Sequence, residues 1–130
     1  MAANQQDSMF DNGKPKLVVL VINQDDERVV FTQMLHDLDV AVKDAVSGGQ
    51  ALELLEDFNV DLLIMDIQQP DMHGWQFLAK VKEIGLLHDL PVIVIAHQPH
   101  LGPPVEQVVY MTRPVSIARL RQNIIEILRS

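Results

Sequence analysis

Three runs in the chain are apolar without a break: Leu17 to Ile22 (LVVLVI), Leu62 to Met65 (LLIM), and the VIVIA segment after Pro91. Each is too short for a free-standing helix and is bounded by turn residues, the pattern of a parallel strand covered on both faces. Val40 to Ala45 and Gln107 to Met111 read as two further strands. Between the strands, apolar residues recur at helical spacing. Val30, Met34, Leu35 and Leu38 mark one helix, and Ala51, Leu54, Leu55 and Phe58 a second. Phe77, Leu78, Val81 and Ile84 mark a third, and Ile117, Leu120, Ile124, Ile127 and Leu128 the inner face of a last one.

The punctuation fits this division. Asp25 and Asp26 stand at the start of the first helix, placed for capping and for the helix dipole, while Ser47-Gly48-Gly49 reads as a turn. Gly85 is a helix stop, and Ser116 caps the last helix. From His97 to Gln107 the segment HQPHLGPPVEQ carries three prolines and a glycine. Proline inside a helix costs about 3 kcal/mol, so a regular long helix is not expected there.

Strands alternating with helices imply right-handed crossovers and a parallel sheet with helices on both sides. The expected fold is α/β and flavodoxin-like, a doubly wound five-stranded parallel sheet of order 2-1-3-4-5 with its fourth helix shortened or irregular. Residues 1–15 are polar and aperiodic and read as a flexible leader, leaving residues 16–130 as one domain. In this order the first and third strands are neighbours, so Asn23 and Gln24 meet Asp66 at the switch point. Ala96 and Arg113, at the ends of the fourth and fifth strands, face the same crevice.

Composition narrows the function. Ten Lys and Arg against eighteen Asp and Glu give a net charge of -8, which disfavours direct contact with nucleic acid or an anionic membrane. The chain has no cysteine, hence no disulfide framework, thiol nucleophile or thiolate metal site. No segment has the form of a signal peptide or a membrane span, and a cytoplasmic protein is expected. No P-loop, GxGxxG or nucleophile elbow is present, so no enzyme activity is assigned. His73, His97 and His100 lack a helical i, i+4 pairing and read as solvated loop residues.

The stretch VDLLIMDIQQPDMHGW contains Asp66, Pro70 and Gly74 as D-x-x-x-P-x-x-x-G, after an apolar strand and before a helix. With Ala45-x-x-Gly48-x-x-Ala51-Leu52, the VIVIA strand and Arg113-Pro114, this resembles the receiver domain of two-component response regulators over about residues 16–128. The resemblance implies that Asp66 is a phosphoacceptor for a histidine kinase or a small phosphodonor. It also implies a Mg²⁺ site formed by two acids after the first strand together with the central Asp, a hydroxyl ending the fourth strand, and a lysine before a proline.

Several of those positions depart from the family pattern. Asn23 and Gln24 stand at the acidic pair, leaving Asp66 and Gln68 as metal positions; Ala96 replaces the hydroxyl, and Arg113 replaces the lysine. Tyr110 looks like the family's switch aromatic. Taking Asp25-Asp26 as the pair instead would carry the strand-end position into the helix start. Mg²⁺ prefers carboxylate and water oxygens in octahedral geometry, so its affinity is expected to be weakened or absent. Arg113 can also form an ion pair with Asp66 in a permanently unphosphorylated site. Two readings follow: an atypical receiver acting as a protein-interaction module, or a functional phosphoacceptor modified on Asp66. The expected partners are proteins, either a histidine kinase or a downstream signalling protein, with homodimer formation left open.

Overall fold

The computed structural model describes residues 15–83, 90–99 and 107–129. Its elements are β1 (Leu17–Val21), α1 (Asp25–Asp37), β2 (Ala41–Asp44), α2 (Gly48–Asp57), β3 (Leu62–Asp66), α3 (Gly74–Glu83), β4 (Val92–Ala96), β5 (Val108–Thr112) and α4 (Ile117–Arg129). All five strands are parallel, in the order β2-β1-β3-β4-β5. The doubly wound sheet expected from the sequence is thus the observed fold. Ile84, Gly85 and residues 100–106 lie outside the described residues, as do residues 1–14, so the helix stop, most of the irregular fourth-helix segment and nearly all of the leader are not described.

Strand pleating sends alternate side chains to opposite faces, and the core divides accordingly. Val18, Leu20, Leu62, Ile64, Ile93 and Ile95 pack with α1 and α4. Val19, Val21, Leu63, Met65, Val92 and Val94 pack with α2 and α3. Every residue of β3 is buried, and each large apolar side chain so removed from water contributes roughly 1.5–3 kcal/mol. The edge strand β2 has no fully buried residue.

Four local expectations are corrected. The helix α2 begins at Gly48, with Ser47 as its N-cap accepting from Gln50 N at 3.2 Å, so Gly48 and Gly49 are helical and not a turn. Gln24 occupies the α1 N-cap without a side-chain cap bond, so Asp25 and Asp26 lie in the first turn, where they serve the dipole but do not cap. On the helix faces Phe31, at 1% exposure, takes the place expected for Val30, which is 45% exposed, and Ile125 joins the expected Leu120, Ile124 and Leu128 while Ile117 faces out. The last strand starts one residue later than expected, because Gln107 sits at φ 66, outside the strand region. Ser116 does cap α4, accepting from Arg119 N at 3.3 Å.

Candidate functional site

Because β3 is covered on both faces, its last residue is buried although charged. Asp66 is 5% exposed, the one charged residue in the buried set among the described residues. Taking a carboxylate out of water costs several kcal/mol unless a partner compensates. The partner is Arg113, whose Nη2 lies 2.7 Å from Asp66 Oδ2.

Arg113 reaches this place through the sheet. Its backbone N donates to Ala96 O at 2.8 Å, extending the β4–β5 ladder beyond the pairing of Ala96 with Thr112. The Arg113–Pro114 peptide is cis. The guanidinium then turns its two-nitrogen edge toward Glu27 in the first turn of α1. Nε donates to Oε2 and Nη2 to Oε1, both at 2.9 Å, the bidentate fork that suits an arginine and a carboxylate. Two carboxylates thus share one guanidinium whose side chain is 8% exposed, with Glu27 at 19% and Asp66 at 7%. Burial works to lower the Arg113 pKa, and the hydrogen bonds and charges of Glu27 and Asp66 overcome it, leaving the group above its ordinary value. Nη1 is buried without a hydrogen-bond partner.

The remaining residues singled out in the sequence divide into two groups. Asn23 joins the pocket: its backbone N donates to Asp66 Oδ2 at 3.3 Å, and its side-chain Nδ2 donates to Gln68 O. Gln69 Nε2 donates to Asp66 O at 2.5 Å, folding the loop back on the strand end. Asp25 is drawn away, paired with Arg28 at 2.6 Å on an exposed surface. Gln24 lines an adjoining cavity of about 570 Å³ with Asp26, Glu27 and Arg113. Ala96 and Tyr110 instead line a second cavity of about 550 Å³ together with Trp75, and His97 borders both cavities. The Tyr110 and Trp75 rings lie 6.0 Å apart at 47°, and burial pushes the Tyr110 phenol pKa up. His73 is exposed and accepts from Trp75 N at 3.3 Å. His97 is exposed, and His100 lies outside the described residues. Among the described residues no group of three or more His, Cys, Asp or Glu could hold a metal ion.

Sequence reasoning passed over two residues here. Glu27, next to Asp25 and Asp26, was not singled out; the available signal was Arg113, since an arginine's fork calls for a second acceptor beside Asp66. Asp71 looked like a plain loop residue. It accepts from Gly48 N at 3.0 Å through Oδ1 and from Gly49 N at 2.9 Å through Oδ2, tying the β3–α3 loop to the start of α2. Its signal was the Gly48-Gly49 pair after an N-cap serine, which leaves two N–H groups accessible.

A parallel 2-1-3-4-5 sheet with a buried aspartate at the carboxyl end of its central strand defines a doubly wound domain whose chemistry lies at the switch point. Residues 18–124 match the family model of the response regulator receiver domain, and the chain belongs to that family. It therefore contains the receiver domain of a two-component response regulator. It is 34% identical over 87 residues to the rice (Oryza sativa subsp. indica) two-component response regulator ORR11, covering 66% of this chain and 59% of that protein. It is 27% identical over 111 residues to a Vibrio cholerae protein named "Probable cyclic di-GMP phosphodiesterase", covering 82% of this chain and 25% of that one. This chain thus spans less than two thirds of the rice relative and a quarter of the Vibrio one. Among solved structures it resembles the receiver domain of a Pseudomonas aeruginosa sensor histidine kinase, which has a magnesium ion coordinated in its active-site cleft. That likeness has a TM-score of 0.78 at 19% identity and covers 90% of this chain and 100% of the other. No described helix is long and apolar enough to cross a membrane.

Proposed function

We propose that this receiver is atypical and works mainly as a protein-interaction module in two-component signalling, with weak or absent phosphorylation of Asp66. One observation carries the reading: the Asp66 carboxylate is already ion-paired from within the chain, with Arg113 at 2.7 Å. Phosphoryl transfer to an aspartate depends on positioning and on cations that offset developing charge. Here the oxygens that would serve a metal meet hydrogen-bond donors. Asp66 Oδ2 receives Arg113 and Asn23 N, and Gln68 O receives Asn23 Nδ2. The acidic pair is replaced by the neutral amides Asn23 and Gln24. A donor set so engaged does not fit Mg²⁺, which requires several free oxygens and at least one available carboxylate.

The partner is a protein, either a histidine kinase or a downstream signalling component. The second reading, a functional phosphoacceptor, draws on the retention of Asp66 at the end of β3, the position from which the family's chemistry is run.

Incubating the purified chain with excess phosphoramidate, with and without Mg²⁺, and measuring intact mass separates the two. We expect no added phosphoryl group. A Mg²⁺-dependent gain of one phosphoryl mass that disappears in Asp66→Ala would establish the phosphoacceptor instead.

A further inference from the structure

Of the three acids in the first turn of α1, Glu27 alone is drawn out of solvent. Asp25 and Asp26 are exposed, whereas the Glu27 side chain is 19% exposed and spends both its oxygens on Arg113, 86 residues away. A helix dipole favours an acid in this turn but does not ask for burial or bidentate geometry. The division of bonds is informative. Arg113 gives Glu27 its Nε–Nη2 edge and gives Asp66 a single bond from Nη2, while Nη1 stays buried and unpartnered. A guanidinium placed by Asp66 alone would turn a two-bond edge to Asp66, as arginine and carboxylate prefer. The plane of this one follows Glu27.

We propose that Glu27 is the positioning residue of the pocket: it holds Arg113 so that the guanidinium fills the cation position beside Asp66 permanently. Glu27 Oε1 and Asp66 Oδ2 sit on the same nitrogen, at 2.9 and 2.7 Å, so one cation touches two carboxylates. A divalent ion would balance both carboxylates; the guanidinium stands in the same place with one positive charge and hydrogen bonds to each. The proposal rests on the atypical-receiver reading, and adds to it the residue responsible and a physical reason why the site does not accept a metal. It also ties the start of α1 to the end of β5.

Two readouts test it, both without a phosphodonor. The first is hydrogen exchange at the Arg113 side-chain Nε–H, followed by NMR. Its bond runs to Glu27, so we expect slow exchange in the wild type and in Asp66→Asn, and exchange about tenfold or more faster in Glu27→Ala. Equal exchange in wild type and Glu27→Ala, or loss of protection in Asp66→Asn alone, would overturn the proposal.

The second is titration with Mn²⁺ alone, read by calorimetry. Arg113→Ala leaves two facing carboxylates without their cation and should bind Mn²⁺ about tenfold or more tighter than the wild type. Arg113→Ala/Glu27→Ala should lose that gain, and the control Arg113→Ala/Asp57→Asn, altered at an exposed acid at the end of α2 away from the pocket, should keep it. If Arg113→Ala unfolds without metal, the same comparison is read as a Mn²⁺-dependent rise in Tm. No gain in Arg113→Ala, or an undiminished gain in the Glu27 double variant, refutes the role of Glu27. Phosphorylation of the wild type would instead end the atypical-receiver reading, and it is scored by mass in a separate measurement.

Discussion

Asp66 ends β3 and Asp71 lies in the loop that follows it, and the chain satisfies them in different ways. Asp66 is buried and is met chiefly by a side-chain cation from 47 residues away, with the Asn23 N–H beside it at a longer 3.3 Å. Asp71 is exposed and is met by backbone N–H groups of Gly48 and Gly49 at the start of α2. The Gly49 N–H lowers the Asp71 pKa most, desolvation opposes it, and the Gly48 N–H adds to the lowering. One acid is thus held by a charge that a single mutation can remove, the other by main-chain dipoles present with any side chain. The difference separates a site from its scaffold. Asp66 stands at the proposed site, whereas Asp71 holds the loop beside it against α2.

Removing the cation should have the largest effect. Arg113→Ala strands two carboxylates, one of them buried, and should cost about 3 kcal/mol in urea unfolding, as expected for breaking a buried pair from one side. A loss no greater than that of Asp71→Asn would erase the distinction between the two acids. Gly48→Ala probes the scaffold side. The added Cβ would lie 3.1 Å from Met72 Cγ and Sδ and from Phe77 Cδ1. Met72 can yield but Phe77 is 1% exposed, so we expect a loss of roughly 1–2 kcal/mol. Ser47→Ala removes the α2 cap and should cost about 1 kcal/mol.

The smallest effect belongs to Asp71→Asn, and it is a pH effect. The folded pKa of Asp71 is depressed, so between the folded and unfolded values the unfolded chain binds more protons. Its contribution is fully present above about pH 4, the ordinary aspartate value, and is lost as pH falls through the folded pKa. The gap in unfolding free energy between wild type and Asp71→Asn should therefore close on acidification. A gap that widens would contradict the N–H bonding.

The same contrast explains what the sequence disclosed. Unbroken apolar runs such as LLIM and VIVIA are hard to accommodate except in buried parallel strands, and β1, β3 and β4 lie where they were expected. Helix faces were less legible. Val30 and Phe31 are adjacent, so starting the periodicity at the wrong one turns the face by about 100°, and only packing against the sheet chooses Phe31. In α4 the expected Leu120, Ile124 and Leu128 are buried, and only the edges of the face differ, with Ile125 joining it and Ile117 left 39% exposed. Asp66, Asn23 and Arg113 could be named because strand ends converge at a switch point. Glu27 could not, because a first-turn acid satisfies the helix dipole whatever its side chain touches. Its role arises from a contact across 86 residues. Asp71 was hidden for a similar reason, since its partners are backbone groups that no side-chain pattern announces.

The central claim is that the chain's own cation occupies the pocket in which a working receiver would assemble metal and phosphoryl group. The most direct test compares the wild type with Asn23→Asp/Gln24→Asp/Arg113→Lys in one time course of phosphoramidate and Mg²⁺, read by intact mass. We expect the wild type to keep its mass while the triple variant gains a phosphoryl group that depends on Mg²⁺ and on Asp66. A wild type phosphorylated as fast as the variant would contradict the claim.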